Sequence, residues 1–279
     1  MRFRRYDSIK VFKSAVLDIL LENEVQNNLL LSLIINSSDH FTPDWLLAAV
    51  SGDGGGTLVA LCVENFPLLL YESGNAEDIG SAELLARELR HTGHSLRGVM
   101  AQCGLAKRFA DAFSGDGAYE LHMTTIAMRL DNLSGYEKAP GFCRKLESRD
   151  MFFAPYWERA FSEDCRTPAF SIDQNVDRLK TRLKKDTHFI WEDGVPVSQA
   201  VHGRNTPNGA VINGVYTPPH FRGRGYATSV VAELSKTLLD KGKSFCCLFG
   251  DAANPVSCGI YRKLGYYDVC TLEELRFDT

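Results

Sequence analysis

Between residues 210 and 249 a strand-like run, a glycine-punctuated turn, an amphipathic helix and a second apolar run follow one another, and no other stretch constrains the chain as much. Val211, Ile212, Val215 and Tyr216 mark the first strand. It is interrupted by Gly214, and an isolated glycine in a strand marks a bulge or a close approach of backbone. Pro218-Pro219 ends the strand. Arg222-Gly223-Arg224-Gly225-Tyr226-Ala227 then opens a helix in which Tyr226, Val230, Leu234 and Leu238 recur at intervals of four, backed by Ala227 and Val231, and Gly242 closes it. Residues 244–249 form the second apolar run, as expected of a strand buried on both faces beside a parallel neighbour. The pattern predicts a strand, helix, strand crossover.

A helix N-terminus presents unpaired backbone N–H groups and the positive end of the helix dipole, so small residues there allow a pyrophosphate to approach closely. Residues 223, 225 and 227 are small, and Arg222 and Arg224 add positive charge. The glycine spacing fits neither GxGxxG nor GxxxxGK[ST], which argues against those two nucleotide folds. Taken alone, the two glycines also fit a tight turn with no ligand. Downstream, Asn254 is placed to cap a helix with Pro255 at its first position, and Gly265 ends it. The expected buried stripe is Val256, Ile260 and Leu264. Tyr261 then lies at its edge, either as a packing tyrosine or with its phenol aimed where the parallel strands separate.

Together these residues resemble the GNAT superfamily of acyl-CoA-dependent N-acetyltransferases. The pyrophosphate motif R/Q-x-x-G-x-G/A is matched by Arg222, Gly225 and Ala227; the second motif is matched by Asn254, Tyr261, Gly265 and Tyr266. The clear likeness covers residues 187–277, and the whole chain is similar to the two-lobed form seen among glycine N-acyltransferases. The resemblance implies an α+β fold of two GNAT-like lobes in tandem, each a mixed, mostly antiparallel sheet flanked by helices, with a splayed parallel strand pair in the C-terminal lobe. It implies acetyl-CoA (CoA) as cosubstrate and no metal. The cofactor would be held by Val215, Tyr216, Thr217, Arg222, Gly223, Arg224, Gly225, Tyr226, Ala227, Thr228, Asn254 and Ser257. Pantetheine would pair with strand backbone at Val215 and Thr217. A backbone N–H near Val215 or Tyr216 would polarise the acyl carbonyl. A primary amine, small molecule or peptide, would attack directly, and Tyr261 would be the general acid for the departing thiolate.

Upstream, residues 11–36 read as helix with a weak point at Asn27-Asn28, and residues 45–50, 57–63 and 66–71 as antiparallel strands around the turn 51–56. Helix 81–90, strand 95–100, helix 105–113 and strand-like 119–130 follow. Residues 135–150 are the linker candidate, and a cut at 138 gives lobes 1–137 and 138–279. Beyond it come helices 156–162 and 173–185, then a hairpin of 187–192 and 195–203 through Asp193-Gly194. The second half thus repeats the order of the first. In the first lobe the phosphate motif is sought at Ala101-Gln102-Cys103-Gly104-Leu105-Ala106-Lys107. This stretch lacks a second small residue two beyond a glycine, so the lobe reads as degenerate.

Composition narrows the partners. With 31 basic against 35 acidic residues the net charge is −4, without the basic excess that nucleic-acid phosphates require. No apolar run approaches the roughly 20 residues of a membrane span. The 8 cysteines have no zinc-ligand spacing and read as free thiols of a reducing, cytoplasmic protein, with Cys246 and Cys247 in the core. His91 and His94 read as surface residues. His202 and Glu192 have suitable chemistry for a general base. The basic run 178–185 reads as a solvated helix face whose Leu179 and Leu183 are buried. A non-catalytic acyl-CoA-binding or sensor module is the alternative function, and either a monomer or a homodimer is compatible with the sequence.

Overall fold

The chain runs twice through one order of elements: strand, two helices, three strands, helix, strand, helix, strand. The computed structural model describes residues 1–36, 42, 44–63, 66–74, 80–115 and 119–277. The first series is β1 (Arg2–Arg5), α1 (Ile9–Leu21), α2 (Asn28–Asn36), β2 (Leu46–Ser51), β3 (Thr57–Cys62), β4 (Leu68–Ser73), α3 (Ser81–His91), β5 (Gly98–Gln102), α4 (Cys103–Ser114) and β6 (Tyr119–Leu130). The second is β7 (Phe142–Lys145), α5 (Ala154–Asp164), α6 (Ile172–Lys185), β8 (His188–Asp193), β9 (Val195–Asn205), β10 (Gly209–Tyr216), α7 (Tyr226–Asp240), β11 (Phe245–Asp251), α8 (Pro255–Lys263) and β12 (Tyr267–Phe277). In chain order the cut at residue 138 lies between β6 and β7. Packing divides the chain differently, into Met1–Ala127 with Asp268–Thr279, and Met128–Tyr267.

In the first unit β2, β3 and β4 pair antiparallel, β4 pairs parallel with β5, and β12 pairs antiparallel with β5. Successive strand residues point to opposite faces, and both faces are buried. Leu46, Ala48 and Val50 pack with α3 and α4, while Leu47 and Ala49 pack with α1 and α2. This explains the unbroken apolar runs of residues 45–71. The weak point expected in the first helix is real: α1 stops at Leu21 and α2 begins at Asn28. Between them the Asn27 amide donates to the Leu20 carbonyl at 2.9 Å and the Asn28 amide to the Val25 carbonyl at 2.7 Å, satisfying groups that the break would otherwise orphan.

In the second unit the strands run β11-β10-β9-β8-β7. β10 and β11 are parallel, and their ladder joins Gly209, Ala210 and Val211 to Phe245, Cys246 and Cys247, after which the two strands no longer pair with each other, β10 running on to Tyr216 and β11 to Asp251. The expected splay is therefore present. On its other side β10 pairs with β9, but Asn213 faces Val201 and Tyr216 faces Gln199, three steps on one strand against two on the other. The extra residue is a bulge, with Gly214 at φ +59°. The helix stripe read from sequence holds, since Tyr226, Val230, Leu234 and Leu238 are all buried in α7.

Three expectations need correction. In α8 Val256 is 73% exposed, and the buried line is Cys258, Tyr261 and Leu264; cysteine packs as a small apolar residue, which turns Tyr261 onto the core side rather than the stripe's edge. The strands β1 and β7 fall where no strand was expected, because four-residue, largely exposed strands show no alternation to read. Finally, residues 101–107 of the first unit are the end of β5 and the opening of α4, the counterparts of the end of β11 and of α8. The counterpart of the glycine turn before α7 is the connection from β4 to α3, of which residues 75–79 lie outside the described residues.

Candidate functional site

The turn before α7 is built to leave amides free. Gly223 and Gly225 have φ of +77° and +78°, a left-handed conformation that side chains with a Cβ resist. Gly225 is the N-cap residue of α7, and no side chain caps that helix. Most helices fill this position with Ser, Thr, Asp or Asn. Here the N–H groups of the first turn, at Tyr226, Ala227 and Thr228, have no capping side chain and no acidic residue beside them. Residues 222–225 are exposed. The turn comes after the end of β10 that has parted from β11, separated from it by Thr217, Pro218 and a short 3-10 turn over Pro219–Phe221.

The side chains expected at this site divide into two groups. Arg222 lies on the turn, its Nε donating to the Thr217 carbonyl at 2.8 Å and its guanidinium paired with Asp164 at 2.6 Å. Arg224 is exposed and donates to the His220 carbonyl at 3.4 Å. Tyr226 is buried, and its hydroxyl donates to Asp193 at 2.5 Å. That bond pins the start of α7 to the β8–β9 hairpin and leaves the residue only its backbone for an anion. Thr217 exchanges a hydroxyl bond of 2.8 Å with Ser198, which also donates to the Tyr216 carbonyl at 3.2 Å. Asn254 caps α8 as expected, accepting from the Ser257 N–H at 3.1 Å.

Tyr261 is 8% exposed and packs edge-on against Tyr266, ring centroids 5.9 Å apart. Its ring also covers Gly250, on the part of β11 beyond its ladder with β10, lying 3.9 Å from where a Cβ there would stand. Burial pushes its phenol well above the ordinary tyrosine value, with the Cys258 and Cys165 thiols adding to the effect. The phenol is therefore protonated at neutral pH, the form a proton donor requires.

Neither base candidate stands free. Glu192 is paired with Arg144, whose guanidinium also makes bonds of 2.6 and 2.8 Å to Asp150. His202 lies on β9 opposite Ile212 and bonds Asn205 at 2.9 Å; burial lowers its pKa. The helix 172–185 is solvated in part, with Leu179 and Leu183 packed inward as expected. Arg182 departs from that reading, pairing at 2.6 Å with the buried Glu158.

Sequence reasoning missed α5 as a wall of the site. Asp164 reaches Arg222 beyond β10, and Arg166 reaches Asp251 at the end of β11 at 3.5 Å, so the C-terminal end of α5 is tied to both sides of the splay. Trp157 lies 6.0 Å from Tyr216, ring to ring. Also missed was a buried polar chain: His188 bonds Gln199 at 3.1 Å, and the Gln199 amide donates to Glu158 at 2.9 Å. The available signal was polar residues inside apolar strands, Ser198-Gln199 between Val197 and Ala200.

His188 is fully buried and its pKa is lowered to about 4, by desolvation first and by Arg182, against the opposing pull of Glu158, Gln199 and Asp150. The unfolded chain, with an ordinary imidazole near 6.5, binds the extra proton between those two values, so the His188 contribution is complete above about pH 6.5 and is lost as pH falls toward 4. At 1.36 kcal/mol per unit this is roughly 3 kcal/mol. Denaturant titrations at several pH values are expected to show His188→Gln losing less stability than wild type across that window; parallel curves would refute the assignment.

In the first unit the start of α3 is arranged differently. The Ser81 hydroxyl donates to Glu72, which also pairs with Arg108 at 2.6 Å. The N-cap residue of α3, Gly80, supplies no side-chain cap either, but an acidic residue, Glu83, lies in the first turn of α3 where α7 has none. Among the described residues, no helix is long and apolar enough to cross a membrane, and no group of three or more His, Cys, Asp or Glu side chains is placed to hold a metal ion.

Residues 193–276 match the family described as FR47-like protein. Solved structures with a similar fold include an acetyltransferase of the GNAT family from Colwellia psychrerythraea, 11% identical over 100% of both chains with a TM-score of 0.65. A GCN5-related N-acetyltransferase from Sphaerobacter thermophilus is 15% identical, over 98% of this chain and 95% of that one, with a TM-score of 0.67. A tandem GNAT protein from the clavulanic acid biosynthesis pathway is 12% identical, over 98% of this chain and 97% of that one, with a TM-score of 0.55. No curated protein matches the chain in sequence. At these identities the likeness establishes the fold, two GNAT lobes in tandem.

Proposed function

We propose that this chain, a tandem GNAT-fold protein with an FR47-like segment in its second lobe, is an N-acetyltransferase that moves an acetyl group from acetyl-CoA to a primary amine. One observation carries the reading: β10 and β11 stop pairing with each other after Val211 and Cys247 yet run on to Tyr216 and Asp251, and an uncapped helix start comes after the parted end of β10. Strand backbone parted from its parallel neighbour suits an amide-bearing pantetheine arm, and uncapped helix amides suit a diphosphate.

When bound, acetyl-CoA supplies an activated thioester. In this reading the first-turn amides of α7, with Gly223, Gly225 and the Arg222 and Arg224 charges, hold the diphosphate. Backbone at Val215 and Thr217 orients the arm. A bulge N–H at Val215 or Tyr216 donates to the acyl oxygen as negative charge develops on it, and Tyr261 gives its proton to the departing sulfur. The amine attacks directly, so no protein nucleophile is needed. The commitment of Glu192 to Arg144 favours a second reading, a non-catalytic acyl-CoA sensor. Thiol release from acetyl-CoA across a panel of amines, amino acids and peptides decides between them. Turnover supports the enzyme, whereas tight binding by calorimetry without turnover supports the sensor.

The Arg222–Asp164 pair sets a further expectation. Both side chains are about half exposed, and such pairs contribute about 0–1 kcal/mol. Asp164→Asn frees the guanidinium for phosphate and is expected to tighten CoA binding up to about fivefold. Weaker binding would show that Asp164 instead orders the turn.

A further inference from the structure

The bulge of β10 is held from one side by a side chain that belongs to none of the motifs. Gln199, on β9, is fully buried. Its amide nitrogen donates both hydrogens, one to Glu158 Oε1 at 2.9 Å and one to the Gly214 carbonyl at 3.3 Å, while its oxygen faces His188 Nε2 at 3.1 Å. Two acceptors on the nitrogen side fix the orientation of the amide, because reversing it would set oxygen against oxygen. Glu158 is in turn held by Arg182 at 2.6 Å, and His188 stays neutral with its pKa lowered to about 4. Buried hydrogen bonds linked in this way hold the Gln199 amide in one orientation, although His188 Nδ1 at the end of the chain has no partner among the described residues.

Its attachment point matters. The Gly214 carbonyl and the Val215 N–H belong to one planar trans peptide and point in opposite directions. Gly214 and Val215 lie within the register shift, between the paired positions Asn213 and Tyr216, so the ladder does not set their orientation.

We propose that Gln199 is a positioning residue for acyl transfer: by holding the Gly214 carbonyl, it turns the Val215 N–H away from itself and fixes that N–H as the donor to the acyl oxygen. The proposal rests on the acetyl-CoA reading above and selects Val215 over Tyr216 as the donor. It also explains why α5 and α6 supply charged residues to a buried position. Glu158 and Arg182 keep the Gln199 amide from rotating.

The test needs no knowledge of the acceptor. Acetyl-CoA carrying carbon-13 at the thioester carbonyl is bound to the whole protein, and the carbonyl stretch is read by infrared difference spectroscopy with affinity measured in parallel by calorimetry. In wild type the stretch is expected below that of free acetyl-CoA. In Gln199→Met, which keeps length and volume without a donor, the downshift is expected to disappear while the dissociation constant stays within about twofold, since the diphosphate grip is untouched. If that variant does not fold, Gln199→Asn keeps an amide in the core but is too short to reach Gly214, and the same loss is expected. For any amine that turns over, kcat is expected to fall about tenfold or more with KM for acetyl-CoA unchanged. A full downshift in either folded variant overturns the proposal and leaves the acetyl-CoA reading standing. Absence of wild-type binding is a separate result, seen in calorimetry, that removes both.

Discussion

Gly225→Glu is expected to raise the dissociation constant for CoA at least about a hundredfold, a loss of roughly 2.7 kcal/mol, in a protein that still folds. Space is not the reason. A Cβ at Gly225 would meet only the Ala139 Cβ, at 3.7 Å. The backbone cost is that of a side chain at φ +78°, about 1–2 kcal/mol. The larger effect is electrostatic, since a carboxylate placed at an uncapped helix start is attracted to the amides that the diphosphate needs and repels the diphosphate as well. Gly225→Ala carries the backbone cost without the charge, so the difference between the two variants isolates the anion contribution. Isothermal titration with CoA, alongside thermal melts, measures both. Unaltered affinity in Gly225→Glu would remove the phosphate role of the turn and the acyl-CoA reading with it.

The turn was legible in the sequence because its determinants are local. Gly223, Gly225 and the four-residue spacing of Tyr226, Val230, Leu234 and Leu238 act within one helix and the residues before it, and Gly214 marked its bulge by interrupting a strand. The bracing of that bulge was not legible, because His188, Gln199, Glu158 and Arg182 come from four elements and meet only once sheet and helices have packed. The first lobe was misread for a topological reason. Its strand of residues 98–102 is followed at once by a helix, as β11 is by α8, whereas the phosphate turn follows the strand before it. The face of α8 was misjudged because Cys258 was not counted among its buried residues. Local spacing finds what one element does alone; long-range polar partners leave only a weak trace, a glutamine or histidine where an apolar residue is the norm.

Tyr261→Phe is expected to lower kcat about a hundredfold while leaving CoA affinity unchanged. General acids typically contribute 10²- to 10⁴-fold, and the lower end applies here. Burial raises the phenol pKa, so the proton is always present but is given up reluctantly to a sulfur whose own pKa is near 8.5. Transfer therefore runs late, when the carbon–sulfur bond is largely broken. The ring is expected to keep its place without the hydroxyl, because it packs against Tyr266 and beside Gly250. Two readouts separate this role from packing. The melting temperature should barely move, and the wild-type rate profile should carry no alkaline loss from Tyr261 below about pH 10, since the folded pKa lies above the ordinary value. Thiol release at the wild-type rate in Tyr261→Phe would show that the thiolate departs without help from this side chain and would return Tyr261 to the core.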